Sequence, residues 1–255
     1  MTDSTALPSF VIIGATGGIG SALCRQLAGT GANMLLAARD GSRLNALTSE
    51  LKSIPTSGRI ESITADATSS TSVSEVFDSA MSLFGTLQGA TNLVGSILLK
   101  PAHLTTDEEF ETTLQLNLKS AFYTVRAATK AMLTSGGSIV LASSVATKIG
   151  LVNHEAIAAA KGGINGLVLS TAATYASRNI RVNAVAPGLV RTPLSAKMTS
   201  NELSLKASVA MHPLGRIGEP DDVATAIAWL LNPHTTWVTG QILSIDGGLA
   251  SVRLR

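Results

Sequence analysis

Seven short apolar runs recur along the chain, each giving way to small or polar residues. They are FVII (10–13), NMLLAA (33–38), RIESITA (59–65), LQGATNLV (87–94), SIVLASS (138–144), IRVNAVA (180–186) and QILSID (241–246). Their shortness and their β-branched content predict strands. Between the early ones lie stretches with helical spacing of apolar positions, such as SRLNALTSELKSI (42–54) and TSVSEVFDSAMSLF (71–84). Each is long enough for a crossover helix. Strands alternating with helices predict a parallel sheet covered on both faces, the doubly wound α/β class. Nothing reads as a linker, repeat or low-complexity segment, so residues 1–255 are expected to form a single domain. The one irregular stretch, about 188–219, is rich in Thr, Ser and Pro and sits where a substrate lid is plausible.

Composition narrows the class. Hydrophobic residues make up 45% and charged residues 14%, so much of the chain must be buried in a core or a subunit interface. A net charge of +2 with scattered basic residues gives no field to attract nucleic acid. Cys24 is the only cysteine, which excludes an internal disulfide, and its setting (SALCRQLA) suits an inert core thiol. The first ten residues, MTDSTALPSF, lack a charged segment followed by an apolar one, and no run of about 18 apolar residues occurs. The expectation is a cytoplasmic protein without a membrane span. No residue is assigned to a metal.

The first candidate chemistry follows the first strand. There GATGGIG (14–20) runs into the helical SALCRQLAG. Gly14, Gly18 and Gly20, with Thr16 and Ile19 between them, suit a tight turn whose backbone approaches a pyrophosphate at a helix N-terminus. Packing alone is the alternative use of such a turn. In NAD-binding folds an acid about 20 positions on holds the adenine ribose. Here Ala38 stands in its place with Arg39 beside it. An acid would repel a 2′-phosphate, whereas a guanidinium binds one through two hydrogen bonds. The expected cofactor is therefore NADP(H), the alternative being that Arg39 is a solvated surface charge.

From about residue 10 to residue 250 the sequence resembles the short-chain dehydrogenases/reductases, in particular the ketoacyl-carrier-protein reductase-like branch. The residues that carry the resemblance are GATGGIG (14–20), Asp66 in ITADAT, NLVG (92–95), LQLNLKSAF (114–122), IVLASS (139–144), NIRVNAVAPGLVRTPL (179–194), HPLGRIGEPDDVA (212–224) and LSIDGG (243–248). The resemblance implies a single-domain Rossmann fold with seven parallel strands, and a homotetramer. We expect its interfaces along helices around 106–133 and 154–177 and the C-terminal segment. It also implies that Asp66 and Ala67 lie at the adenine and Asn92, Val94 and Gly95 along the adenine ribose. Val190 and Thr192, after Pro187 and Gly188, would receive the nicotinamide amide. Each has a structural alternative: Asp66 caps the next helix, Asn92 braces a strand end, Thr192 is loop polarity.

The same resemblance implies a serine that holds the substrate carbonyl, a tyrosine that moves the proton, a lysine four residues later, and a supporting asparagine. Ser144, Lys161 and Asn117 match three of these. Thirteen residues after Ser144, where the tyrosine belongs, the chain has Ile157. Tyr123 and Tyr175 fall on helical stretches out of reach of Ser144. His154 lies seven residues before Lys161, within about 20° of its helical face and roughly 10 Å along the axis. Its imidazole is a candidate substitute acid, and a surface histidine is the alternative. Two functions follow: a carbonyl reductase using NADPH on a small-molecule carbonyl with an altered proton path, or a non-catalytic NADP-binding protein.

Overall fold

The computed structural model describes residues 7–55 and 58–253. Met1–Ala6, on which part of the leader reading rests, lie outside the described residues. All seven predicted runs form strands: β1 (Ser9–Ile13), β2 (Asn33–Ala38), β3 (Ile60–Thr64), β4 (Gly89–Asn92), β5 (Gly137–Ala142), β6 (Ile180–Pro187) and β7 (Ile242–Ile245). They pair in parallel in the order β3-β2-β1-β4-β5-β6-β7. Between them run α1 (Gly18–Gly29), α2 (Gly41–Lys52), α3 (Ser70–Phe84), α4 (Asp107–Leu114), α5 (Ser120–Met132), α6 (Glu155–Tyr175), α7 (Ala196–Thr199), α8 (Glu202–Met211) and α9 (Pro220–Leu231).

The strands read as apolar runs because both faces of the sheet are covered, and the period-2 alternation assigns successive residues to opposite cores. Val11, Ile13, Leu35 and Ala37 join the core under α3, α5 and α6. Phe10, Ile12, Met34, Leu36 and Ala38 join the one under α1, α2 and α9. Cys24 is fully buried in the second core, and desolvation pushes its thiol pKa up, away from nucleophilic chemistry. Among the described residues no helix is long and apolar enough to cross a membrane.

Two local features bear on the site. α4 and α5 form one rod interrupted by a π-helical segment, Gln115–Lys119. The stretch read as irregular, 188–219, contains a 3₁₀ turn (Pro193–Ser195), α7 and α8. α8 has no buried residue, so its sequence lacks the apolar stripe that makes a helix legible.

Candidate active site at the carboxyl ends of the strands

Strand order reverses between β1 and β4, and such a switch point opens a crevice beyond the strand ends. β1 runs into it through Gly14, whose φ of +85° suits glycine and whose N–H donates to the Ala37 carbonyl at 2.8 Å. A Cβ on Gly20 would stand 2.3 Å from the Gly14 carbonyl oxygen, so the turn closes only without a side chain there. On Gly18 it would stand 2.8 Å from the Thr192 methyl, so the loop after β6 packs directly on the turn. Ile19 is half-buried and packs against the second core. α1 begins with neither a side-chain cap nor an acid in its first turn, which leaves its N-terminal N–H groups and dipole available to an anion.

At the β2 end Arg39 is exposed. Arg43, one helical turn further on, donates from Nη2 to the Thr16 carbonyl at 2.8 Å, placing a second guanidinium beside the glycine turn. The sequence reading missed Arg43; its signal was a cation four residues after Arg39. Asp66 accepts from the Thr68 N–H at 2.9 Å and its hydroxyl at 2.8 Å. These bonds, with a smaller contribution from Arg39, hold its carboxyl below the usual range. Ala67 is buried in the first core. Asn92 is buried too: its Nδ2 donates to the Thr124 hydroxyl at 3.0 Å and its Oδ1 accepts from the Val94 N–H at 2.9 Å. It braces the strand end, the structural use weighed above. Half-buried Val94 lies against Gly14, where an added Cβ would come within 3.2 Å of its methyl.

Three predicted residues converge at Gly95. A Cβ there would lie 2.7 Å from Asn117 Oδ1 and 3.4 Å from Lys161 Nζ. Asn117 sits in the π segment. Its Nδ2 donates to the Thr113 carbonyl at 2.9 Å and to the Ser96 hydroxyl at 3.0 Å. Ser96 returns its N–H to Oδ1 at 3.3 Å. The carboxamide therefore ties the distorted helix to the segment after β4. Lys161 is 8% exposed and donates to the Ala142 carbonyl at 2.7 Å. Desolvation brings its ammonium down to about 8. Ser144 follows β5, half-buried, its hydroxyl accepting from the Ala146 N–H at 3.2 Å.

Ile157 lies on α6 one turn before Lys161 and is only 5% exposed. Neither tyrosine replaces it. Tyr123 packs on the first core with the Arg126 guanidinium 5.5 Å from its ring centre, and Tyr175 ends α6 far from Ser144. His154 occupies the N-cap of α6. Its Nδ1 lies 2.7 Å from the Val152 carbonyl, an acceptor only, so Nδ1 carries the proton and Nε2 of the neutral ring is bare. Such a ring accepts a proton; it gives one up only from its imidazolium form.

β6 ends at Pro187, and Gly188 leads the chain into the loop. Val190 is buried and bridges Gly218, while half-buried Thr192 caps the 3₁₀ turn by accepting from the Ser195 N–H at 3.3 Å. Buried His212, quoted above as the first residue of HPLGRIGEPDDVA, has a role that the sequence did not show. Its Nε2 accepts from the Leu189 N–H at 3.3 Å, and its Nδ1 donates to the Ser208 carbonyl at 2.6 Å. Within HPLGRIGEPDDVA, Arg216, Glu219 and Asp222 bond to one another. Arg216 pairs with Asp222 at 2.6 and 2.8 Å, and this contact and the Glu219 N–H hold the Asp222 carboxyl at about 2.

Comparison with known proteins gives a consistent result. The family described as enoyl-(acyl carrier protein) reductase matches residues 14–250. A tropinone reductase homologue of Arabidopsis thaliana is 35% identical over 96% of this chain and 93% of its own length. The 3-oxoacyl-[acyl-carrier-protein] reductase of Thermotoga maritima is 32% identical over 94% of this chain and 96% of its own. Among solved structures, a short-chain type dehydrogenase/reductase from Mycobacterium ulcerans superposes with a TM-score of 0.92 at 27% identity, covering 96% of this chain and 91% of that one.

Proposed function

Because the chain belongs to the short-chain dehydrogenase/reductase family, we propose that it is an NADPH-dependent reductase of a small-molecule carbonyl whose proton does not come from the family's tyrosine. The family is one of oxidoreductases whose cofactor is a nicotinamide dinucleotide, and the residues present fit such a group. The uncapped N-terminus of α1 suits the pyrophosphate, and Gly14, Gly18 and Gly95 let the chain after β4, Thr192 and Asn117 close in around it. Lys161 would grip the nicotinamide ribose, and Val190 and Thr192 would receive the amide. Arg39 favours the 2′-phosphate form, because Ala38 offers no acid to the ribose. When bound, the cofactor supplies the hydride.

The observation that carries the proposal is the meeting of Asn117 and Lys161 at Gly95, with Lys161 bonded to Ala142 at the end of β5, two residues before Ser144. A chain that only bound nucleotide has no use for Ser144. In this reading Ser144 donates to the substrate oxygen, Asn117 braces the distorted helix, and Lys161 stabilises negative charge near it. The proton comes from His154 as an imidazolium or from water. Losing a general acid typically removes about 10²–10⁴ in rate, which leaves room for useful turnover.

One observation favours the second reading, a non-catalytic NADP-binding protein: Ile157 is packed away where a phenol would have to meet the substrate. NADPH oxidation against a panel of ketones and β-ketoesters decides between them, with Ser144→Ala as control. Turnover abolished in the control supports the reductase; nucleotide binding without turnover of any compound supports the second reading. We also propose a cytoplasmic homotetramer. Its support is the family and the exposed apolar side chains of Phe122 on α5, Leu169 on α6 and Trp237 before β7, the last 97% exposed.

A further inference from the structure

The segment that carries Ser144 is stitched to α6 at more than one point. Upstream, the Ala142 carbonyl accepts from Lys161. One turn beyond that lysine, Asn165 holds the segment on both sides of the serine. The buried Ser143 hydroxyl donates to Asn165 Oδ1 at 2.6 Å, and Asn165 Nδ2 donates to the Thr147 hydroxyl at 2.9 Å. Thr147 in turn donates to the Ser144 carbonyl at 2.8 Å. The directions are forced. A threonine hydroxyl has one hydrogen, and Thr147 spends it on Ser144, so it can only accept from position 165. The carboxamide therefore presents its oxygen to Ser143 and its nitrogen to Thr147.

We propose that Asn165 is a positioning residue for Ser144. It acts through Ser143 and Thr147 and fixes the backbone from which the Ser144 hydroxyl projects; it touches no reacting atom itself. The inference rests on the reductase reading for its consequence in turnover, but not for the clamp. An aspartate at 165 has the same shape and keeps the acceptor for Ser143. It has no hydrogen for Thr147, whose hydroxyl then turns to the carboxylate and releases the Ser144 carbonyl.

Amide hydrogen exchange on the full chain tests the clamp without reference to activity. Asn165→Asp should speed exchange at Ala146 and Thr147, whose N–H groups bond to Ser144, by about tenfold or more, leaving β5 protected. Thr147→Val should do the same, and Thr147→Ser, which keeps the hydroxyl, should not. Unchanged exchange at Ala146 and Thr147 in Asn165→Asp overturns the proposal. In the ketone assay Asn165→Asp should lower kcat by about 10–100-fold with the NADPH dissociation constant unchanged. Thr147→Ser should keep kcat near the wild-type value, while Thr147→Val should lower it with Asn165→Asp. A wild-type kcat in Asn165→Asp, or a loss that NADPH binding shares, makes Asn165 merely structural and overturns the proposal. If the wild type binds NADPH and reduces nothing while the exchange effect appears, the clamp stands and the reductase reading falls.

Discussion

The imidazole of His212 stands against the face of Gly188 where a side chain would project: a Cβ on that glycine would lie 2.6 Å from Nε2. The ring cannot move aside cheaply, because it is held between the Leu189 N–H and the Ser208 carbonyl at the end of α8. Gly188→Ala should destabilise the protein by about 1–3 kcal/mol through overpacking. Adding His212→Ala should recover part of that loss, since the second substitution vacates the space. Denaturant unfolding of the two single variants and the double variant checks this; additive losses would refute it.

Lys161 makes stability depend on pH. Burial lowers its folded-state pKa from 10.5 to about 8, so the unfolded chain binds the proton more tightly. Below about 8 both states are protonated and the full cost of burying the charge is present. As pH rises from about 8 to about 10.5 the folded state sheds the proton first and stability rises. Cys24 opposes this at the alkaline end, because its raised pKa keeps the folded thiol protonated while the unfolded one ionises. Lys161→Met isolates the lysine. Wild-type stability relative to the variant should rise by about 3 kcal/mol between neutral pH and pH 10.5, on top of a constant offset from the lost Ala142 bond. A gap independent of pH in urea titrations would sink this account.

NADPH should bind more tightly than NADH. Arg39→Ala should lose about 1.5–3 kcal/mol toward NADPH and little toward NADH, the range for a hydrogen bond to a charged group. Calorimetric titration with both nucleotides decides it, and equal affinities in the wild type refute the assignment.

Ile157→Tyr should raise ketone reduction by about one to three decades, because a phenol one turn from Lys161 has its anion stabilised by the ammonium. Exchange at low cost would require an isoleucine facing an open cleft. At 5% exposure it does not, so the ring should cost about 1–3 kcal/mol of stability. A variant that folds, binds NADPH and gains no activity on any ketone would show that position 157 points away from the substrate.

Sedimentation at micromolar concentration should give a tetramer. Phe122→Glu combined with Leu169→Glu, both at exposed positions, should yield a smaller, folded species whose Tm no longer rises with protein concentration. A monomeric wild type refutes the assembly.

Strands β1 and β2 were legible because each is apolar on both faces, and the glycine turn because Gly14 and Gly20 meet backbone that no side chain could tolerate. α8 was not, since none of its residues is buried and no periodicity marks it. The roles of Arg43, His212 and Asn165 escaped notice for a different reason. They depend on which way a side chain points across a gap closed only by the tertiary fold, to Thr16, Leu189 and Ser143. Asn92 illustrates the converse, a matched motif residue whose side chain turns inward to Thr124.

The order of the sheet has a bearing on how the chain is made. β2 pairs with β1, β3 with β2, β4 with β1, and β5, β6 and β7 each with the strand before it. Every strand thus meets, on leaving the ribosome, a neighbour that has already been synthesised. The sheet can grow outward from β1 in both directions during translation, and no exposed edge waits for a partner upstream of it. The crevice forms later than the sheet's first half. The glycine turn and the chain after β4 are in place once β4 has docked, but Ser144, Lys161 and the His212 wedge arrive only with the last two-fifths or so of the chain, so a truncated nascent chain has the turn without the rest of the crevice.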